Sequence, residues 1–244
     1  MIINNLDNNN FNNAEPTVPS VNPVSQNPEL ENLKELGGTT IPSGSEEIFT
    51  INIIGQIEGH NILPPQSKAT RYEHVIPQLI AVEQNPTIKG VLVVLNTVGG
   101  DVEAGLAIAE MLNSITKPSV SLVIGGSHSI GVPLAVSTDY SYISPTATMI
   151  IHPVRMNGLV IGAPQTFEYF NKMQDRISNF ITRNSQISPD KLRCLMMQTD
   201  ELMNDMGTIL IGHQATEIGL IKEVGGIGEA LSKLKQLIDE KKEV

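Results

Sequence analysis

From residue 49 onward the chain alternates between two hydrophobic rhythms. Residues 49–54 form a short β-branched run that ends at Gly55, and residues 73–83 carry Val75, Leu79 and Ile80 at helical spacing before Pro86 stops them. Residues 90–95 (GVLVVL) are apolar on both faces, the pattern of a strand inside a parallel sheet. A glycine-containing turn at 96–101 leads into a predicted helix at 102–115. Residues 120–124 read as the next buried strand, and the small-residue segment after Gly125 and Gly126 opens another helix near Ser129. Two short strands follow at 140–143 and 148–151. The longest predicted helix covers 167–184, with Phe167, Phe170, Met173, Ile177 and Ile181 on one stripe. This order predicts an α/β fold with crossover helices, in which active groups gather at strand ends.

The first 47 residues follow neither rhythm. They are dense in asparagine (Asn4, Asn5, Asn8, Asn9 and Asn10 among others) and then in proline (Pro16, Pro19, Pro23, Pro28, Pro42). Such a stretch offers little apolar area to offset backbone ordering at roughly 1–2 kcal/mol per residue. It reads as a disordered arm, within which 29–36 has the pattern of a short helix. Residues 48–244 suit a single domain. The start lacks the basic, apolar and small-residue zones of a secretory signal, and no apolar run approaches the roughly 20 residues that span a bilayer.

Charge narrows the partners. With 16 basic and 26 acidic residues the formal net charge is −10, which opposes any broad grip on phosphate backbones or anionic lipid. Neither nucleic acid nor membrane insertion is expected. The single Cys194 makes no internal disulfide, so the chain fits the cytoplasm, and the residue reads as a small buried apolar group.

Two strand-to-helix junctions carry the candidate chemistry: Asn96-Thr97-Val98-Gly99-Gly100-Asp101 and Gly125-Gly126-Ser127-His128-Ser129-Ile130-Gly131. Glycine pairs after buried strands let backbone amides approach a ligand, and amides at a helix start point the same way. Ser129 is either a helix cap or a nucleophile. His152, between the strand 148–151 and Pro153, is either a hydrogen-bonded structural residue or the base that a serine hydroxyl needs. His128 adjoins Ser129 but does not face it, and reads as a local structural residue. His60, His74 and His213 have no metal-ligand spacing. The chain lacks the Gly-Lys-Ser/Thr of a nucleotide loop, so no cofactor is implied.

These motifs, with Ala104-Gly105-Leu106-Ala107-Ile108, Met149-Ile150-Ile151-His152-Pro153 and Ala215-Thr216-Glu217-Ile218-Gly219-Leu220-Ile221, resemble the Clp protease proteolytic subunit family of serine peptidases, and within it the translocation-enhancing branch. The resemblance covers about residues 49–228. It implies a ClpP/crotonase-like fold of repeated β-β-α units with a protruding handle helix, here 167–184. It further implies a homo-oligomeric ring, stacked or single, that hydrolyses peptide or unfolded-protein substrates. It places the nucleophile on Ser129, the base on His152 and the oxyanion amides on Gly99 and Ile130. Counted without gaps, the family's aspartate position falls on Gly207; a two-residue insertion brings Asp205 into register. Asp205 is preferred as the orienting acid, with Asp200 or no carboxylate as the alternatives.

The chain also departs from that family pattern. The glycine-rich strand after the histidine is replaced by the more apolar Arg155-Met156-Asn157-Gly158-Leu159-Val160-Ile161-Gly162, and the gating N-terminus by the Asn/Pro arm. Neither gives ground for assuming that an ATP-driven unfoldase docks. Two other readings keep the fold: a proteolytically weak ring that scaffolds proteins, and a crotonase-type acyl-CoA enzyme, which would use carboxylates rather than a serine–histidine pair.

Overall fold

In the computed structural model the described residues are 47–155, 162–199 and 206–242. All of the arm except Glu47 lies outside them, as do Asp200 and Asp205. The strands are β1 (Ile48–Glu58), β2 (Ala69–Arg71), β3 (Gly90–Gly100), β4 (Ser119–Ser127), β5 (Tyr140–Ile143), β6 (Thr148–Ile151), β7 (Thr208–Ile211) and β8 (Glu223–Val224). The helices are α1 (Tyr72–Gln84), α2 (Val102–Ser114), α3 (Gly131–Val136), α4 (Ala163–Arg183), α5 (Pro189–Met196), α6 (His213–Glu217) and α7 (Ile227–Lys242). Along the main path β2-β1-β3-β4-β5-β8 every neighbouring pair is parallel. The expected α/β class is therefore observed. A smaller ladder pairs β6 with β7 antiparallel over four positions, and β6 meets β4 at the single register Gly126↔Thr148.

Strand alternation sorts side chains onto the two faces of the main sheet. Val91, Val93 and Leu95 of β3 point into the large core with α1 to α6, whereas Leu92 points the other way, against Ala230, Leu234 and Ile238 of α7. One helix thus seals one face while the rest of the helices cover the other. Helix α7 is held by burial of Leu234, which is fully enclosed, worth about 1.5–3 kcal/mol on its own.

The strands run further than their apolar cores predict: β3 continues through Gly100 and β4 through Ser127, because parallel pairing to β1 and to each other carries the backbone into the glycine segments. Helix α4 starts at Ala163, and its stripe divides. Met173, Ile177 and Ile181 are buried, joined by Phe180, while Phe167 remains 71% exposed. Cys194 is also exposed, on the outer side of α5, because Leu192, Leu195 and Met196 occupy the inward positions; the expectation of a buried cysteine is corrected.

Candidate active site

The end of β3 is organised by Thr97. Its hydroxyl donates to the Gly55 carbonyl (2.6 Å) and accepts from the Gly99 amide (3.0 Å), and its own carbonyl accepts from the His128 amide (3.1 Å). Gly99 and Gly100 then take φ values of +86° and +154°. A Cβ on Gly100 would stand 2.2 Å from the Ile57 carbonyl oxygen, and one on Gly99 would stand 2.7 Å from the Ser129 Cβ, so side chains are excluded at both. Asp101 closes the junction by accepting the Ala104 amide at 2.8 Å, a capping bond that starts α2.

The end of β4 is built differently. The Ser127 hydroxyl is fully buried and donates to the Gly131 carbonyl (2.7 Å), which removes it from competition as a nucleophile. Helix α3 begins at Gly131 with Ile130 as its cap residue and no side-chain capping bond, so Ser129 is not a helix cap. Ser129 instead has φ +57°, the one non-glycine residue with positive φ among the described residues. Holding an L-residue there costs about 1–2 kcal/mol and is tolerated where surrounding contacts fix it. Those contacts are the Ser129 amide donating to the Ile150 carbonyl (2.8 Å) and the Ser129 carbonyl accepting from Val132 (3.0 Å).

That amide bond to β6 brings Ser129 beside the strand that His152 follows. Both residues line one cavity of about 140 Å³, together with Gly100 and Ile130, and the apolar wall includes Ile177 and Ile181 of α4. The His152 Nδ1 lies 2.7 Å from the Pro153 carbonyl oxygen. A carbonyl only accepts, so Nδ1 carries the proton; when the ring is neutral this leaves the lone pair on Nε2, the tautomer a general base requires. The neighbouring His128 is half-buried; burial holds its pKa below the usual imidazole value, with the charge of His152 contributing second.

Of the sequence-predicted site residues, Ser129, Ile130 and His152 line the cavity together. Gly99 packs directly behind Ser129, but its amide is directed to Thr97. Gly100 is the glycine that lines the cavity. The sequence did not single it out, because a glycine pair alone does not say which member faces inward; the parallel register with Ile57 does. Asp205 and Asp200 lie outside the described residues. Gly207, at the ungapped aspartate position, has φ +135° and donates its amide to the Gln198 carbonyl (2.7 Å). Asp101, within the first glycine motif, caps α2, and Glu103, the next acid, is engaged by the Arg176 guanidinium through both carboxylate oxygens (2.6 and 2.9 Å), a bond that lowers its pKa. Glu103 fastens α2 to α4, so both carboxylates next to the glycine pair are engaged in structural contacts. Among the described residues no cluster of His, Cys, Asp and Glu could hold a metal ion, and no helix is long and apolar enough to cross a membrane.

The chain is an α/β protein with a mostly parallel sheet, and a serine and a histidine stand just beyond the ends of two adjoining strands. The Clp protease family model matches residues 45–227, and the chain belongs to that family. It is 57% identical over 211 residues to the translocation-enhancing protein TepA of Halalkalibacterium halodurans, covering 86% of this chain and 82% of that one. It is also 29% identical over 157 residues to the ATP-dependent Clp protease proteolytic subunit of Streptococcus pneumoniae, covering 62% of this chain and 76% of the relative.

Proposed function

We propose that the chain is a serine endopeptidase working as a homo-oligomeric ring on peptide or unfolded-protein substrates. The observation that carries this reading is the strained backbone of Ser129 at a cavity it shares with His152. Strain on a residue with a side chain, where glycine would fit freely, is retained when that side chain has a task. In the reaction the Ser129 hydroxyl attacks the scissile carbonyl while His152 Nε2 takes its proton. The developing oxyanion is held by the amide of Ile130 and by the Gly99–Gly100 turn, of which Gly100 faces the cavity. The tetrahedral intermediate collapses as His152 returns the proton to the leaving amine, and water then attacks the acyl-enzyme by the same route. Asp205 is the proposed orienting acid; the Pro153 carbonyl supports the same tautomer at Nδ1. No cofactor enters the proposed reaction, and the single cysteine, which makes no internal disulfide, fits a cytoplasmic setting.

A fluorophosphonate probe tests this directly. Assembled wild-type protein is expected to form an adduct on Ser129 that Ser129→Ala abolishes, with peptide or casein turnover falling at least about 10⁴-fold in the variant. Absence of a Ser129-dependent adduct overturns the reading.

A second reading rests on a name: the relative of highest identity given above is described as enhancing translocation, not as a protease. On that reading the ring binds or scaffolds proteins during secretion, and turnover by wild type and Ser129→Ala would be equal.

A further inference from the structure

We infer that His128 is a positioning residue, fastening the turn that carries Ser129 to the strand that leads to His152 through its contact with the Thr148 hydroxyl. The inference rests on the Ser129–His152 reading above.

The two groups sit on different parts of the fold. Ser129 follows β4 in the main sheet, whereas His152 follows β6, whose four-position ladder is with β7. Their separation is therefore set by how β6 is seated against the end of β4, and the register joining those strands is the single pair Gly126↔Thr148. Near it, the Ser129 amide donates to the Ile150 carbonyl (2.8 Å), and His128 Nε2 lies 2.8 Å from Thr148 Oγ1. The backbone contacts are available to almost any sequence. The imidazole–hydroxyl contact depends on both residue identities.

Its surroundings are arranged for it. The His128 main chain is held at both ends, its amide by the Thr97 carbonyl (3.1 Å) and its carbonyl by the Gly131 amide (2.8 Å), so the ring departs from a fixed point. A Cβ on Gly126 would stand 2.9 Å from His128 Nε2, so glycine there clears the path to Thr148. Half-burial lowers the pKa of the ring and so favours the neutral form, which can donate to or accept from a hydroxyl. Chain neighbours such as His128 and Ser129 do not face each other. The ring turns instead to the strand on the other side.

The test measures inactivation of the full-length assembled protein by a fluorophosphonate, separating the limiting rate from the probe concentration that half-saturates it. His128→Leu and Thr148→Val are each expected to lower the limiting rate about five- to tenfold, the worth of one part-buried hydrogen bond, with half-saturation changed less than about twofold. The double variant is expected to be no slower than the slower single one, because both substitutions remove the same contact. His128→Gln, which retains a terminal nitrogen, is expected to recover to within about threefold of wild type, as is Thr148→Ser, which retains the hydroxyl. Melting curves and ring size identify any variant that has lost its fold; should His128→Leu be one, the Thr148→Val and Thr148→Ser pair decides alone. Unchanged limiting rates, or single effects that multiply in the double variant, overturn the inference while leaving Ser129 as nucleophile. Wild-type protein that forms no Ser129 adduct overturns both.

Discussion

At the end of β3 the chain passes through Gly99 and Gly100, at φ +86° and +154°, where the absence of a Cβ makes the conformation inexpensive. After β4 the single positive φ, +57°, falls on Ser129, which has a Cβ. Both junctions end buried parallel strands, and they lie in contact, Gly99 against Ser129. One is built for close packing of backbone, so that the Ile57 carbonyl can pass within reach of Gly100. The other accepts strain to present a hydroxyl to the cavity. The difference separates a junction relaxed by glycine from one that holds a side chain under strain more sharply than the glycine content of either motif.

The comparison can be broken most severely at Gly100. Gly100→Ala places a methyl group 2.2 Å from a backbone oxygen that cannot swing away, and is expected to cost about 3 kcal/mol or more in urea unfolding. A milder loss would mean that β1 and β3 separate easily. At Ser129 the prediction is opposite in sign: Ser129→Gly should be about 1 kcal/mol more stable than Ser129→Ala while both are inactive, since glycine relieves the positive φ and alanine does not. Equal stabilities would remove the argument from strain. Asp101→Ala should lose about 1 kcal/mol, the worth of the cap that α2 has and α3 lacks.

The smallest effect concerns how α2 is tied to α4. The Glu103–Arg176 pair is half-exposed, so Glu103→Gln should cost only about 0.2–1 kcal/mol at neutral pH. Because the bond to Arg176 depresses the Glu103 pKa, its contribution is complete above the ordinary carboxylate range and is lost as pH falls through the depressed value. The stability difference between wild type and Glu103→Gln should therefore shrink in acid. A difference that grows would contradict the sign.

Much of the architecture is written in hydrophobic spacing. The runs 90–95 and 120–124 are apolar on both faces and became the two central strands; 140–143 and 148–151 match β5 and β6 residue for residue. Helices α1 and α2 fell within one residue of their predicted bounds because Asp101, Pro86 and the apolar periods mark them. What stayed hidden has a common cause. The three-residue β2 and two-residue β8 are strands only by pairing with β1 and β5, which no local pattern encodes. The exposure of Phe167 and of Cys194 likewise depends on how far neighbouring elements extend, since periodicity marks a stripe but not where the core beneath it ends. At the site, Ser129 and His152 were legible from strand-end position and motif. Thr97, Gly100 and the His128–Thr148 contact were not, because each depends on register between strands.

Cys194 sits exposed on α5, two residues before Met196 in the cavity wall, and the 244 residues contain one cysteine and no tryptophan. Optically the protein is nearly a blank page. A thiol-reactive fluorophore has one attachment point, close to the cavity, and a tryptophan introduced elsewhere is the sole indole in the chain. Binding and assembly can thus be followed by energy transfer between two defined points, with no native chromophore of either kind to be removed first.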